Sequence, residues 1–541
     1  MSSEHDAIVI GAGPNGLAAA NHLADAGWSV LVLEAQPEVG GAVRSDREVH
    51  PDFVHDTFSA FYPLAAASPA LLALDLERYG VTWRHAPAVL GHLLGRLPGR
   101  DPGDAQGEPR WALLHRDREV TATLMDQQHA GDGEAWLDLC AMWDKIGEQV
   151  IGAFLSPFPP VRYGLGTMAR LPRVGGLDFV KTLLTPVVEL GRARFGGEAP
   201  RILLAGNAGH ADIPLDAPGS GLMGLLMSML GQTVGFPVPE GGAGELSRAL
   251  ARRLTDRGGD VRCGAEVASV EVRDGRAVGV RTRDGQAFAA RHAVVADVAA
   301  PHLYGGLVAA EHLPRRTLDR MRDFEMGPGT VKVDWALSGP IPWAAEPAYA
   351  PGTFHVADSV EQMNEALAQV ASRRIPARPF MLAGQMTTTD ATRSPAGTES
   401  AWAYTHVPQQ TVSDAGDGGV RGVWDEADKE RFADRMQARV EELAPGFGDR
   451  VLARRILGPR ELEARDANLI GGALDGGTAQ LHQQLVFRPV PGSGRAETPV
   501  KNLYLGSASA HPGGGVHGAA GRNAARAALA HARFRRWTLR G

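Results

Sequence analysis

The chain has 541 residues, and its 55 Lys and Arg against 62 Asp and Glu give a formal net charge of −7. This balance excludes a basic nucleic-acid-binding protein, and the length is enough for two or more domains of roughly 100 to 200 residues each. Glycine is over-represented at 67 residues, where average usage of roughly 7% would give about 38. Because the glycines follow no three-residue period, they indicate local glycine motifs and exclude a collagen-like chain.

The N-terminal residues predict a βαβ unit. Its strand, helix and second strand are expected at residues 7–10, 17–26 and 29–34. Gly27 ends the helix, because glycine readily takes the left-handed cap conformation. Both strands are almost wholly apolar, which is typical of strands covered on both faces.

The turn between the first strand and the helix carries a dinucleotide fingerprint. Gly11, Gly13 and Gly16 have the spacing that allows a tight turn, close approach of a pyrophosphate and close helix–strand packing. Asn15 lies within the same turn and is also a candidate for binding the cofactor. Glu34 ends the second strand, where its carboxylate can accept hydrogen bonds from ribose hydroxyls.

A second glycine pair follows this unit. Residues 40–45 have the sequence GGAVRS, which makes Gly41 a further cofactor candidate. Arg44 is predicted to hold a phosphate through charge-assisted hydrogen bonds, and a solvated arginine is the alternative.

Helical and uncharged segments dominate the next part of the chain. A Pro-, Gly- and Asp-rich stretch at 97–109 predicts an exposed loop, and the periodicity over 174–230 is mostly helical. Residues 217–239 carry no charge and are nominally long enough to cross a bilayer, but five glycines and three prolines interrupt them. We expect a buried helix or the wall of an apolar pocket here, and contact with a membrane surface is the alternative.

The second half of the chain alternates between strand and helix signals. Asp-Gly pairs between alternating segments predict hairpins. The predicted elements are a helix at 246–256, short strands over 261–295, strands at 330–337 and 401–407, helices at 358–371 and 426–443, and a final strand, glycine turn and helix over 502–529.

Four stretches together carry a family resemblance. They are residues 8–45, 239–246 (PEGGAGEL), 265–270 (AEVASV) and 502–518, which end in HPGGGVHG. With them the chain resembles the phytoene desaturase-like branch of the amine oxidase superfamily of flavoproteins. Residues 509–511 are Ser-Ala-His where carotenoid desaturases usually have Gly-Thr-His, so the chain looks closer to the sub-branch named for a pyridine nucleotide-disulphide oxidoreductase domain.

The positions of the two cysteines indicate whether the chain could reduce a disulphide, as the name of that sub-branch suggests. Cys140 and Cys263 are far apart in sequence and form no CxxC pair, which argues against disulphide reduction and against a disulfide framework. A reducing cytoplasm fits this composition, with attachment to the periphery of a membrane left open. No signal peptide is expected ahead of the first strand.

The resemblance implies an α/β fold, α+β overall, with FAD as the cofactor. A discontinuous Rossmann-type FAD-binding domain would comprise residues 1–75, 236–300 and 455–541, and an inserted substrate or cap domain of mixed sheet and helices would comprise 76–235 and 301–454. The resemblance also implies that Val267 offers its backbone to the adenine and that the loop at 55–62, with Ser59, lies against the flavin ring. Gly514, Gly515 and Val516 would lie beside that ring at a helix N-terminus.

Three residues are candidates for catalysis. His511 and His517 flank the last glycine turn and can exchange protons near neutral pH, although each could equally brace the turn. Lys332 lies in an apolar strand, where burial would lower its pKa. The alternative for Lys332 is a surface lysine on an edge strand.

Candidates for substrate contact are distributed along the chain. They are Tyr62, His210, Leu222, Leu226, Tyr404 and His482. No spacing among the histidines and carboxylates forms a metal site, so no metal is expected.

The leading interpretation is an FAD-dependent oxidoreductase that dehydrogenates a largely apolar small molecule by hydride transfer to flavin N5. Oxygen, a quinone or a redox protein would then accept the electrons, and no nucleic acid would be bound. A flavin amine oxidase that uses oxygen is the rival enzyme, which would present an aromatic pair to the flavin, with Trp402, Tyr404 and His406 as candidates. A flavin-free escort-type binding protein of the same general fold is the rival from another class. The sequence leaves the oligomeric state open.

Overall fold

Two large β-sheets organise the computed structural model, which describes residues 4–95 and 108–538. The sheet that contains the N-terminal strand is called the nucleotide sheet. Within the described residues its seven strands are Glu4–Ile10, Val30–Leu33, Asp260–Arg262, Val267–Arg273, Arg276–Thr282, Ala287–Ala296 and Leu503–Leu505.

Distant parts of the chain meet at the centre of the nucleotide sheet. Glu4–Ile10 runs parallel to Val30–Leu33 on one side and to Ala287–Ala296 on the other. The far edge of Ala287–Ala296 pairs first with Arg276–Thr282 and then, in parallel, with Leu503–Leu505. The C-terminal strand therefore joins the same sheet as the N-terminal one, which makes the nucleotide-binding unit discontinuous.

The second sheet, called the substrate sheet, is mixed. In order across the sheet, its strands within the described residues are Val451–Leu457, Gly329–Leu337, Glu399–Val407, Met381–Gln385, Pro351–Val356, Ala88–Leu94 and Arg110–Leu114. Gly329–Leu337 lies between two neighbours and is buried along its whole length.

Helices cover both sheets. Within the described residues, the α-helices of five or more residues are Pro14–Asp25, Pro63–Ala67, Arg118–Asp126, Asp132–Phe154, Val161–Arg170, Leu177–Leu184, Val187–Arg194, Glu198–Ala208, Ser220–Thr233, Gly244–Asp256, Arg315–Met321, Val360–Ala371, Glu426–Leu443, Pro459–Arg465 and Ala519–Thr538.

Each sheet has its own core. Leu17 and Ala18 of the first long helix and Ala524 of the last pack on the nucleotide sheet. Over the substrate sheet, Trp136 and Leu203 belong to a cluster of helical side chains that packs against the strand Ala88–Leu94. The arrangement confirms the predicted fold class, an α/β Rossmann-type unit with an inserted unit of mixed sheet and helices.

Most predicted elements are present, with most ends shifted by up to three residues, while the last helix, expected to end at 529, extends to Thr538. The uncharged segment forms the helix Ser220–Thr233, which is largely buried. In the described part of the chain no helix is long and apolar enough to cross a membrane. Most of the loop predicted at 97–109 lies outside the described residues. The strand Val451–Leu457 spans the predicted domain boundary at residue 455, and the domain limits stay a prediction.

Candidate functional site

A cavity of about 1000 Å³ extends from the nucleotide sheet to the substrate sheet. Four groups of residues line it. They are the fingerprint turn and Glu34, the loop from Phe58 to Leu64, the C-terminal glycine turn at 514–516, and a wall from helices and the substrate sheet that includes Leu222, Leu226, Lys332 and Tyr404. One continuous space therefore contacts both predicted halves of the site.

The fingerprint turn is packed so closely that only glycine fits. A Cβ on Gly16 would lie 2.2 Å from the Gly11 carbonyl oxygen, and one on Gly13 would lie 2.7 Å from a carboxylate oxygen of Asp297. Gly11 also has a φ of +93°, which favours glycine. This geometry agrees with the tight turn predicted at Gly11 and the close packing predicted at Gly16, while the approach of a pyrophosphate to Gly13 stays a prediction.

Asp297 is a member of this site that sequence reasoning missed. It follows the strand Ala287–Ala296, and its carboxylate accepts a hydrogen bond of 2.7 Å from the Gly16 N–H. Burial raises the pKa of Asp297 to about 8. The feature that could have identified Asp297 is its position at the carboxyl end of a parallel strand, the edge where such sheets bind ligands.

Glu34 lines the cavity at the end of the second strand. Its two carboxylate oxygens accept hydrogen bonds from the N–H groups of Ala12 (2.6 Å) and Gln36 (2.8 Å). Each oxygen has a second lone pair, so the fixed carboxylate can still accept from ribose hydroxyls. Burial raises the pKa of Glu34.

Arg44 is not among the residues that line the cavity, and its phosphate contact stays a prediction. Its guanidinium donates to the carbonyl oxygens of Gly41 (2.9 Å) and Arg465 (2.8 Å) and lies over the Phe58 ring. Backbone carbonyls thus hold the side chain in the loop. Gly41 itself lines the cavity, with a φ of +52°.

The residues at this end fit the ADP part of FAD. Asn15 lines the cavity, is 4% exposed and leaves its amide oxygen without a hydrogen-bond partner in the described part of the chain. Buried polar atoms of this kind are normally satisfied, so an orphaned oxygen beside a glycine turn at a helix N-terminus favours a polar ligand there. Val267 lines the same end of the cavity.

The C-terminal glycine turn forms the opposite end. Gly514, Gly515 and Val516 line the cavity just before the helix Ala519–Thr538. A Cβ on Gly514 would lie 2.6 Å from a carboxylate oxygen of Asp475, so bare backbone is required for close packing. Ser59 faces the same space, and its hydroxyl donates to the Ala42 carbonyl oxygen at 2.8 Å.

Asp475 is the second acidic group that sequence reasoning missed. It lines the cavity beside Gly514, and within the described residues no hydrogen bond to its carboxylate is found. Burial, together with the nearby negative charge of Asp212, raises its pKa to about 7. The sequence signal near it was the glycine pair that follows, Gly476 and Gly477.

Arg488 fixes the loop that carries Asp475. Its guanidinium is fully buried and donates to the carbonyl oxygens of Asp475 (2.7 Å), Thr478 (2.8 Å) and Ala508 (2.8 Å). One side chain therefore holds this loop against the segment around Ala508, which precedes the C-terminal glycine turn.

The two candidate histidines differ in position. His511 lines the cavity, and its Nε2 donates to the Ser156 carbonyl oxygen at 2.9 Å. His517 is fully buried away from the cavity wall, and its Nδ1 accepts from the Ala519 N–H at 3.0 Å. Burial lowers the pKa of His517 to about 4. Because its Nδ1 accepts from the Ala519 N–H, His517 caps the start of the last helix.

Lys332 lines the cavity from an inner strand of the substrate sheet, which excludes the alternative of a surface lysine on an edge strand. Its ammonium donates to the Asp56 carbonyl oxygen at 2.8 Å and to the carboxylate of Asp334. Burial lowers the pKa of Lys332, and the negative charge of Asp334 opposes that shift.

The substrate candidates divide into five on the wall and one outside it. Tyr62, His210, Leu222, Leu226 and Tyr404 line the cavity. His482 does not, because its half-exposed imidazole pairs with Glu325 at 3.2 Å on the surface. Burial lowers the pKa of His210 to about 3, so that imidazole is neutral. In the described residues no cluster of His, Cys, Asp and Glu could hold a metal ion.

An aromatic pair is present on the substrate sheet. The rings of Trp402 and Tyr404 are nearly parallel, with centroids 5.9 Å apart and an angle of 13° between planes. Both line the cavity, and Phe61 lies beside Trp402. His406, the third candidate, is buried next to Tyr404 and is not on the wall.

Two family models match the chain. Residues 9–74 match the NAD(P)-binding Rossmann-like domain, and residues 216–333 match the flavin containing amine oxidoreductase family. Similar solved structures share the fold. They include an oxidoreductase from Methanosarcina mazei (16% identity, TM-score 0.56, covering 97% of this chain and 99% of that one), a putrescine oxidase triple mutant (18%, 0.57, 98% and 100%) and cyclohexylamine oxidase from Brevibacterium oxydans IH-35A (17%, 0.55, 98% and 99%).

Two curated relatives extend over nearly the whole chain. Pyridine nucleotide-disulfide oxidoreductase domain-containing protein 2 of Mus musculus is 31% identical over 97% of this chain and 93% of its own length, and the Rattus norvegicus protein is 29% identical with the same coverage. The amine oxidoreductase match and the cavity that fits FAD assign the cofactor and the enzyme class. The chain belongs to the family of pyridine nucleotide-disulfide oxidoreductase domain-containing protein 2, and it is an FAD-dependent oxidoreductase.

Proposed function

We propose that this oxidoreductase dehydrogenates a largely apolar small molecule, forming a double bond between two neighbouring carbons. The observation that carries the proposal is the wall of the cavity beyond the C-terminal glycine turn. Leu222, Met223, Leu226 and Met227 of one helix line it together with Phe154. Such a wall favours hydrocarbon, because apolar surface removed from water contributes roughly 25 cal/mol per Å².

FAD, when bound, supplies the acceptor for the hydride. The chain has to hold the C–H bond against that acceptor, exclude water and take a proton from the adjacent carbon. We assign the last task to Asp475, whose carboxylate lines the cavity beside the C-terminal turn and has a pKa of about 7. A base with a pKa near the working pH is the most effective.

The other candidate residues have holding roles in this proposal. The ammonium of Lys332 is engaged by Asp334 and by the backbone of Asp56. His511 is engaged by the Ser156 carbonyl oxygen. In this proposal, the hydrogen bond from Lys332 fixes the loop at 55–62, and the one from His511 fixes the chain just before the C-terminal turn. Gly514, Gly515 and Val516 would present their backbone to the flavin ring.

Amine oxidation with oxygen as acceptor is the second candidate, and the Trp402–Tyr404 pair favours it. Putrescine oxidase and cyclohexylamine oxidase share the fold, and aromatic faces attract cations. Asp475 could then partner a substrate ammonium. The two proposals therefore differ in the substrate that the same cavity accepts. The electron acceptor would be oxygen for the amine reaction and oxygen, a quinone or a redox protein for the dehydrogenation.

Anaerobic mixing distinguishes the candidates. Purified holoenzyme is mixed with polyenes, amines and aromatic alcohols while the visible flavin absorbance is followed. Bleaching by polyenes alone supports dehydrogenation of an apolar molecule, bleaching by amines supports the alternative, and bleaching by neither rejects both.

Two variants test the wall and the base. Leu222→Glu places a charge at a half-buried position on the cavity wall. It should raise KM for an apolar substrate while flavin occupancy is retained, whereas Thr233→Glu, at the exposed end of the same helix, should change neither.

Asp475→Asn should lower kcat by about 10² to 10⁴ and remove the limb of the pH profile near pH 7. An unchanged profile would reject Asp475 as the base.

A further inference from the structure

Exposed apolar side chains are concentrated in one short part of the chain. On the helix Val161–Arg170, Val161, Leu165 and Met168 are 64%, 63% and 67% exposed. Their spacing of i, i+4 and i+7 puts them on one face, and no residue of this helix is buried. An ordinary surface helix of a soluble domain turns such a row toward the core.

The next helix repeats the pattern. Leu177–Leu184 turns Phe179 and Thr182 into the protein, while Leu177 is 83% exposed and Leu184 is 54% exposed. The two helices are joined by the short turn Leu171–Val174. We call residues 161–184 the exposed helical pair. Large exposed apolar areas of this kind mark interaction sites.

The charge of the exposed helical pair is opposite to that of the whole chain. It contains four basic residues, Arg162, Arg170, Arg173 and Lys181, against one acidic residue, Asp178. The complete chain has a net charge of −7. Apolar side chains with basic residues among them are the composition of helices that lie in the interface of an anionic membrane.

The exposed helical pair adjoins the mouth of the cavity. Leu481 and Leu485 line the cavity and are also 49% and 44% exposed, so they stand at its entrance. The loop after Leu485 is joined to the chain just before the pair, because the Phe158 N–H donates to the Gly494 carbonyl oxygen at 2.9 Å. The helix Asp132–Phe154, whose last residue lines the cavity, is covered by Tyr163 of the pair.

We propose that the exposed helical pair docks the enzyme on an anionic lipid bilayer, with the cavity mouth turned toward the lipid. The apolar side chains would enter the interfacial layer, and the basic residues would be attracted to the anionic headgroups. The buried helix Ser220–Thr233, from the segment for which membrane contact was the alternative to burial, would take no part. This docking does not depend on which substrate the cavity accepts.

Flotation with lipid vesicles tests the proposal on the holoenzyme. Vesicles of phosphatidylcholine alone are compared with an equimolar mixture of phosphatidylcholine and phosphatidylglycerol, and the fraction of protein that floats is measured. We expect binding to the anionic vesicles, weaker binding to the neutral ones, and a loss in 1 M salt, where the screening length falls to about 3 Å.

Two triple variants locate the surface. Leu165→Glu/Met168→Glu/Leu177→Glu should reduce partitioning at least about tenfold, since a loss of about 1.4 kcal/mol is sufficient. Val412→Glu/Val423→Glu/Leu452→Glu is the control, because these residues are 74%, 43% and 54% exposed on other parts of the protein. The visible flavin absorbance of each variant reports whether it is folded and loaded.

The contrary outcomes are distinct. A wild-type enzyme that floats with neither vesicle overturns the proposal, as does equal flotation of the two triple variants. If sedimentation shows a dimer that the Leu165, Met168 and Leu177 substitutions dissociate, with no vesicle binding, the partner is a second copy of the chain and the lipid proposal is rejected. Because no turnover is measured, these results are separate from any failure to find a substrate.

Discussion

At the scale of single residues, Glu34 and Gly13 carry the strongest prediction about the cofactor. Glu34→Ala removes the carboxylate that faces the ribose end of the cavity, and Gly13→Val forces a side chain into Asp297. A hydrogen bond to a charged group contributes about 1.5 to 3 kcal/mol, so the Kd for FAD should rise by about 10- to 100-fold with Glu34→Ala. Titration of apoprotein with FAD measures it, and Glu311→Ala, a surface substitution, is the control. Unchanged flavin occupancy in both variants would refute the site.

Asp475 predicts a pH dependence of stability. Burial raises its pKa from 3.8 to about 7, so between these values the folded protein keeps a proton that the unfolded chain has released. The free energy of unfolding should therefore fall as pH rises through this window, by at most about 1.4 kcal/mol per pH unit from this group, and level off above it.

The variant Asp475→Asn cannot ionise and should lack this contribution. Urea unfolding of both proteins at pH 5 and pH 8, with the same excess of FAD, measures the difference. The variant should gain stability relative to the wild type at the higher pH. A constant difference between the two proteins at both pH values would contradict the raised pKa.

The spacing of one local motif placed its own residues, whereas it could not reveal Asp297 and Asp475, which the fold brings to the cavity from distant parts of the chain. Gly11 and Glu34 belong to a single βαβ unit, so their spacing along the chain already fixes their relation in space. Asp297 reaches the same turn from a strand more than 250 residues away, and Asp475 comes from a loop positioned by Arg488. Neither position has a periodic or spaced signal. His482, a candidate for substrate contact, lies on the surface beside Glu325 for a related reason, because the sequence does not show which way a loop residue faces.

At the scale of elements, the crossing of the first and last long helices predicts opposite effects for two similar substitutions. A Cβ on Gly521 would lie 1.8 Å from the Asn15 carbonyl oxygen, whereas a Cβ on Gly164 would meet nothing within 4 Å. Gly521→Ala should therefore cost about 1 to 3 kcal/mol by separating the helices, and it should weaken FAD binding because both glycine turns adjoin them. Gly164→Ala should stabilise by about 0.5 to 1 kcal/mol through helix propensity. Denaturant unfolding measures both, and equal effects would contradict the close crossing.

Elements with strong periodicity were predicted nearly at their observed ends. The helix expected at 426–443 is Glu426–Leu443, and the strand expected at 330–337 is Gly329–Leu337. What periodicity does not give is the neighbour of a strand. Lys332 could not be assigned to an inner or an edge strand until the pairing with Glu399–Val407 and Val451–Leu457 was known.

At the scale of the whole molecule, largely buried ion pairs join the substrate sheet and the turn at 390–393 to the segment at 46–56. Arg393 is fully buried and donates to Asp56 (3.0 Å) and Asp390 (2.9 Å). Arg455 of the substrate sheet pairs with Asp46 (2.7 Å) and Asp334 (2.8 Å), and Asp334 also pairs with Lys332. Asp46 and Asp56 lie in the chain just after the fingerprint unit. These pairs hold the loop at 55–62 between the cofactor end of the cavity and its substrate end.

Replacing Arg393 should therefore affect stability and cofactor binding together. Arg393→Met leaves the carboxylates of Asp56 and Asp390 buried without their cation, and breaking a buried pair in this way costs about 3 to 5 kcal/mol. Because Asp56 also accepts from the Ala243 N–H and the Ser45 hydroxyl, a shift of Asp56 should loosen the loop that carries Ser59 and increase release of FAD.

The matched control is Arg78→Met. The Arg78 guanidinium is 80% exposed in its pair with Asp75, so this substitution should change the free energy of unfolding by less than about 1 kcal/mol. Denaturant unfolding and retained flavin are measured at low and high salt. The loss in Arg393→Met should be nearly independent of salt, since buried pairs are little screened. A loss no larger than that of the control would contradict the role of Arg393 in holding the segment at 46–56.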